Sequence, residues 1–132
     1  MTSFDELVWT MALAAAPGMG PVLFKKAAES FADAGSMAAA AEGGHAAFRG
    51  ALREKVRDLK KGPYSAAAAE EAVRAQKNGV RIVGWFDAEY PAELKEIYDP
   101  PAFFYVRGDL PSARERKIAV VGSRSASHYG IK

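Results

Sequence analysis

Apolar positions fall at helical intervals through the first half of the chain and in short continuous runs through the second. Ser3 and Glu6 have the spacing of a capping box, and Leu7, Val8, Met11 and Ala15 follow on one helical face. Pro17-Gly18-Met19-Gly20 stops that helix. Pro21 suits the first position of the next, whose apolar face is Leu23, Phe24, Ala27, Ala28 and Phe31. Gly35-Ser36 reads as a stop and cap before an alanine-rich helix from Met37 to about Ala41. Phe48, Ala51, Leu52, Val56 and Leu59 form a stripe at three- and four-residue spacing, which predicts a further helix ended by Gly62-Pro63.

Beyond Pro63 the pattern changes. Ser65 is placed to cap a helix running to about Asn78, with Gly79 just past its end. Val80 to Trp85 and Phe103 to Arg107 read as strands, the second closed by Gly108. Between them Tyr90-Pro91 opens a short helix through Leu94 and Ile97, closed by Asp99-Pro100-Pro101. Lys117 to Val121 is a third strand, and its continuous apolar run predicts burial on both faces, as in a parallel sheet covered by helices. Such a strand requires a crossover and further strands, so the sequence is expected to be the front portion of a longer protein.

Composition narrows the classes. With 132 residues and 49% of them apolar, the chain is too hydrophobic for a disordered tail and suits a packed globule. The uncharged stretch from Leu7 to Phe24 resembles a membrane span, but Pro17, Gly18, Gly20 and Pro21 break its middle. Two soluble helices joined by a tight turn fit better, and no membrane partner is expected. The sequence has no cysteine, which removes disulfides and cysteine-based zinc sites and fits a cytoplasmic location. Its two histidines, His45 and His128, are too few and too far apart for a metal centre.

The net charge of +2 hides an uneven distribution. Residues 80–112 carry a net −3, whereas residues 113–132, with Arg114, Arg116, Lys117, Arg124 and Lys132 against Glu115, carry a net +4. That distribution can form a basic pocket within a nearly neutral chain. Inside the basic segment, Gly122-Ser123-Arg124-Ser125-Ala126-Ser127 directly follows the third strand. Backbone amides, hydroxyls and an arginine at the carboxyl end of a strand lie where open α/β sheets bind anions. The competing reading is a strand-to-helix turn with serine caps and a solvent-facing Arg124. The loop matches neither the dinucleotide fingerprint nor a P-loop, so no nucleotide cofactor is expected.

The Ala16 to Pro21 segment also has two readings. As a helix-hairpin-helix turn, Gly18 and Gly20 leave amides exposed for a phosphate, with Lys25 and Lys26 one turn later. As an ordinary interhelical turn, its glycines answer only a packing need. No catalytic constellation stands out: Ser123 lacks a nucleophile elbow, and Glu93, Glu96 and Asp99 read as a solvated face. Trp85, Phe86, Tyr90, Phe103, Phe104 and Tyr105 are able to stack on bases but read mainly as core.

In order, Tyr90-Pro91-x-x-Leu94-x-x-Ile97-x-Asp99-Pro100-Pro101, then Phe103 to Gly108, then Ile118 to Arg124 with Ser127, Tyr129 and Gly130, closely resemble the DNA-processing protein A family (DprA, also called Smf). The resemblance implies an α+β to α/β chain. It would comprise a helical domain similar to a sterile-alpha-motif or helix-hairpin-helix unit over residues 1–62 and a connecting helix over 63–79. The beginning of a truncated Rossmann-like domain with an incomplete parallel sheet would occupy residues 80–132. It further implies a non-enzymatic single-stranded-DNA-binding protein of natural transformation that protects incoming DNA, loads the RecA recombinase and forms a homodimer at full length. Gly122, Ser123 and Arg124 match the family's phosphate-binding loop, and Ser127, Tyr129 and Gly130 match the start of the following helix. Gly122, Ser123, Arg124 and Ser127 are the candidate phosphate-binding residues, and Gly18, Gly20, Lys25 and Lys26 are candidate secondary contacts. A Rossmann-like enzyme acting on a nucleotide or sugar phosphate is the alternative.

Overall fold

A computed structural model describes residues 3–57, 59, 62–111 and 115–131. It is a mixed α+β arrangement of helices packed on a two-stranded sheet. The elements are α1 (Phe4–Ala15), α2 (Pro21–Ala28), α3 (Ala34–Glu42), α4 (Ala51–Val56), α5 (Pro63–Lys77), β1 (Arg81–Gly84), α6 (Ala92–Lys95) and β2 (Phe103–Val106). Among the described residues no helix is long and apolar enough to cross a membrane. The uncharged Leu7 to Phe24 stretch is divided between α1 and α2, as its breakers require.

The first helix is the centre of the packing. Ser3 caps it as expected, its Oγ accepting from the Glu6 amide at 3.2 Å. The Glu6 carboxylate does not complete the box. It reaches instead to the amino end of α3, accepting from the Ala34 amide at 2.7 Å and the Gly35 amide at 3.0 Å. Two amides that α3 cannot satisfy internally thus find a charged acceptor, which also favours the positive end of the helix. Gly35 makes room for this: a Cβ there would lie 2.8 Å from Glu6 Oε1. The cap of α3 itself is Asp33, whose Oδ1 accepts from the Ser36 amide at 2.6 Å. The helix therefore begins earlier than the Gly35-Ser36 signal indicated. The same hydrogen bond is the first cause of the Asp33 carboxyl lying below its ordinary range.

Helix α1 also lies against α5 and β1. Thr10 is buried and donates to the Glu6 carbonyl at 2.9 Å, so its hydroxyl is satisfied within the helix. Its methyl side faces Gly84 so closely that a Cβ on that glycine would come within 3.3 Å of Thr10 Cγ2. One core runs through both halves of the chain, from Leu13, Phe24, Met37 and Phe48 to Val83, Trp85 and Val106. An aromatic ladder crosses the same boundary: Phe24 meets Trp85 edge-on at 6.4 Å, Trp85 meets Tyr90 at 5.5 Å, and Tyr90 meets Phe104 at 5.5 Å. The Tyr90 hydroxyl donates to the Pro101 carbonyl at 2.6 Å, and burial pushes its pKa up to about 12. Lys95 Nζ lies over the Trp85 and Tyr90 rings at 4.9 and 5.3 Å. Trp85 and Tyr90 are therefore core residues.

Several elements differ from the sequence expectation. Helix α5 starts at Pro63 with Gly62 as its cap, while Ser65 Oγ donates back to the Gly62 carbonyl at 3.0 Å. Helix α4 is shorter than its apolar stripe, and Phe48 is buried from the turn before it. The two strands pair antiparallel, with Val83 opposite Phe104, and not in the expected parallel sheet. The reason lies in the connection: a parallel pair needs a crossover covering the sheet, and the four-residue α6 is too short to supply one. Residues 117–121 do not form the expected third strand. Ile118, Val120 and Val121 are 89%, 93% and 91% exposed, because no described strand pairs with them and no helix covers them.

Removing the Glu6 carboxylate should leave the α3 amides unsatisfied. Glu6→Ala is expected to cost about 1–2 kcal/mol in urea unfolding. Gly35→Ala should be better tolerated in the Glu6→Ala background than alone, because the clash is then gone. A double-mutant cycle on the two positions reads that coupling directly.

Candidate nucleic-acid interface

The basic segment leaves the folded body at Lys117. Its Nζ donates to Glu93 Oε1 on α6 at 2.7 Å, an exposed pair that ties the segment beside the hairpin. This hydrogen bond is the first cause of the Glu93 carboxyl sitting below the usual carboxylate range. Nearby, Arg81 on β1 pairs with Glu89 and reaches the Gly108 carbonyl at 3.4 Å, which closes the root of the hairpin. Downstream of Lys117 every described residue to Ile131 is exposed.

The structure places Gly122, Ser123, Arg124 and Ser127 in one continuous exposed stretch. Ser123 Oγ donates to the Ser125 carbonyl at 2.5 Å, which tightens the chain around Arg124. Ser127 begins a turn in which the Gly130 amide donates to its carbonyl at 2.9 Å. Arg124 is exposed, and no carboxylate is placed against it among the described residues. A Cβ on Gly122 would meet nothing within 4 Å, so the backbone there is open to approach. Among the described residues, no strand or helix flanks this stretch to aim its amides at one point. The residues are brought together in sequence, and the cradle between them is not closed.

The interhelical turn has a different geometry. Gly18 has φ of +94°, a left-handed conformation that a side chain would strain, and its position is exposed. The Met19 amide donates to the Ala16 carbonyl at 2.9 Å and Met19 is buried, so the turn has a packing role. Gly20 caps α2, and Pro21 occupies its first turn. Lys25 and Lys26 lie in the last turn of α2, away from the glycines. Lys25 is committed elsewhere, donating to the Ile97 carbonyl at 3.1 Å. Only Lys26 of the pair points its charge to open solvent along α2, toward a groove that also holds His45 and Arg49. Sequence spacing gave no signal for His45, Arg49 or Tyr98, because the fold and not the local pattern brings them beside α2.

The Lys117 tether has a defined pH response. A carboxyl lowered by a partner stabilises above its unfolded value and loses that contribution as pH falls through its folded value. The Lys117–Glu93 pair should therefore persist from neutrality down to about pH 5 and be lost below about pH 4, around the ordinary glutamate range, as followed by the NMR shift of the Glu93 side-chain carboxyl. In the Glu93→Gln variant the Lys117 side-chain shifts should already be those of the unpaired lysine at neutral pH.

Residues 81–132 match the family model described as DNA recombination-mediator protein A. The DNA processing protein DprA of Bacillus subtilis is 38% identical over 56 residues, covering 42% of this chain and 19% of that protein. Protein Smf of Borreliella burgdorferi is 43% identical over 58 residues, covering 44% of this chain and 18% of the relative. The DNA processing protein DprA of Streptococcus pneumoniae is 46% identical over 43 residues, or 33% of this chain and 15% of its own length. The aligned part thus spans less than a fifth of these curated relatives. No solved structure matches the chain. The hairpin from Arg81 and the basic segment that follows it are thus the part of the chain that is similar to the DNA recombination-mediator protein A family.

Proposed function

We propose that the chain is a non-enzymatic, single-stranded-DNA-binding part of a DNA-processing protein, with Gly122, Ser123, Arg124 and Ser127 holding backbone phosphates. The observation that carries this reading is Arg124: it stands exposed, without an acidic partner among the described residues, between open backbone at Gly122 and the Ser127 turn. It also falls within the segment that matches the family model. The names of the Bacillus and Streptococcus relatives, DNA processing protein, support the same substrate class.

In this reading, residues 117–121 pair within the Rossmann-like sheet that the family resemblance implies, which would bury Ile118, Val120 and Val121. Pairing there would fix the carboxyl end of the strand and converge the amides of 122–124 on one phosphate. The helical half, a sterile-alpha-motif or helix-hairpin-helix-like unit, offers the exposed Gly18-Gly20 turn as a secondary contact. The biological role is natural transformation in the cytoplasm, with protection of incoming strands, RecA loading and homodimerisation belonging to the full-length protein.

Fluorescence anisotropy with a labelled single-stranded oligonucleotide tests the site. Arg124→Ala should weaken binding by about three- to tenfold, whereas Lys77→Ala on the exposed face of α5 should change it by less than about twofold. Equal effects of the two substitutions would remove Arg124 from the site. Saturation by a free nucleotide with turnover would replace this reading with an enzyme.

A further inference from the structure

Two grooves flank α2 and share Lys26. The first, of about 650 Å³, is lined by Lys26, Ser30, His45 and Arg49 together with small apolar residues, and no carboxylate lines it. The polar groups in it are oriented. His45 Nδ1 accepts from the Ala47 amide at 3.2 Å, which leaves Nε2 as the nitrogen that carries a proton. The His45 ring is held edge-on to Phe31 at 5.4 Å. Arg49 Nε donates to the Ala46 carbonyl at 2.9 Å, which fixes the plane of its guanidinium. An ammonium, a hydroxyl, an imidazole N–H and a guanidinium therefore line one concavity, all of them donors.

The second groove, of about 480 Å³, lies on the other flank and is lined by Val22, Lys25, Lys26, Glu29, Glu96 and Tyr98. Tyr98 is 81% exposed, beside the half-exposed apolar side chains of Val22 and Ile97. The bond from Lys25 to the Ile97 carbonyl holds this loop against α2 and so sets Tyr98 beside the lysine pair. The two carboxylates, Glu29 and Glu96, stand on the Tyr98 side only. Phosphates are favoured at the His45–Arg49 end and disfavoured at the Tyr98 end, where an apolar platform is available to a base.

From this juxtaposition we infer that the face of α2 is a second binding track for single-stranded nucleic acid, with Lys26, His45 and Arg49 on the phosphates and Tyr98 stacked on a base. A flexible single strand suits such a surface because its bases are free to turn away from its backbone. The track rests on the proposed single-strand binding but uses none of the residues of the Arg124 loop.

Binding of oligo-dT and of an abasic oligomer of equal length, measured by anisotropy, separates the two components. Tyr98→Leu should lower affinity for oligo-dT by about fivefold and leave the abasic strand unchanged, because only stacking is lost. Lys26→Gln with Arg49→Gln should weaken both strands alike, by about tenfold. These positions are exposed, and thermal unfolding at the wild-type temperature confirms that each variant folds. If the α2 variants bind like wild type while Arg124→Ala weakens binding, the track is overturned and the loop assignment stands. If the α2 variants weaken binding while Arg124→Ala does not, the track stands and the loop assignment falls. Equal losses for both strands on Tyr98→Leu would overturn the stacking role. Absence of binding by the wild-type chain to either strand would overturn both proposals.

Discussion

Everything in the described fold is referred to α1, and the contact that fixes its surroundings is the Glu6 carboxylate on the amides of Ala34 and Gly35. A partly buried helix amino terminus needs acceptors for amides that have no partner within the helix. Here a charged group from another helix supplies them, so α3 is oriented by α1 as well as by apolar packing. The opposite flank of α1 meets the sheet where Gly84 allows Thr10 to approach closely. Together these contacts fix α3 and the hairpin around one helix, and the aromatic ladder from Phe24 to Phe104 joins α2 to the hairpin.

That body carries the candidate interface at its edges. The hairpin ends near Gly108, and the Lys117–Glu93 pair directs the basic segment away from the core. Exposure of Ile118, Val120 and Val121 is costly in water, since apolar surface of this kind is normally removed on folding. The same residues read as a buried strand in the sequence. Both observations describe a segment whose structure depends on pairing, and the loop proposed to hold phosphate depends on that pairing for its shape.

Local chemistry was legible where it was self-contained. Ser3 announced the start of α1, and the Pro17 to Pro21 breakers announced the turn into α2. The apolar runs at residues 80–85 and 103–107 announced both strands. What depended on partners was less legible. Either Asp33 or Ser36 is chemically able to cap α3, and the Glu6 contact favours the earlier start. The direction of strand pairing followed from the length of α6, which composition does not reveal. The third strand carried a strong apolar signal but no information about which strands would accompany it. Among site residues, the 122–127 loop was visible as a motif, whereas the grouping of Lys26, His45, Arg49 and Tyr98 exists only after folding.

The central claim is that Arg124 and its neighbouring amides recognise the charged backbone of a nucleic acid and not its bases. The salt dependence of binding tests this most directly, because each neutralised phosphate releases counterions. Plotting log affinity against log salt for the wild-type chain should give a straight line of negative slope, and Arg124→Ala should make that slope shallower by roughly one or slightly less. An Arg124→Ala line parallel to the wild type would contradict the account, since the arginine would then displace no counterion from the strand.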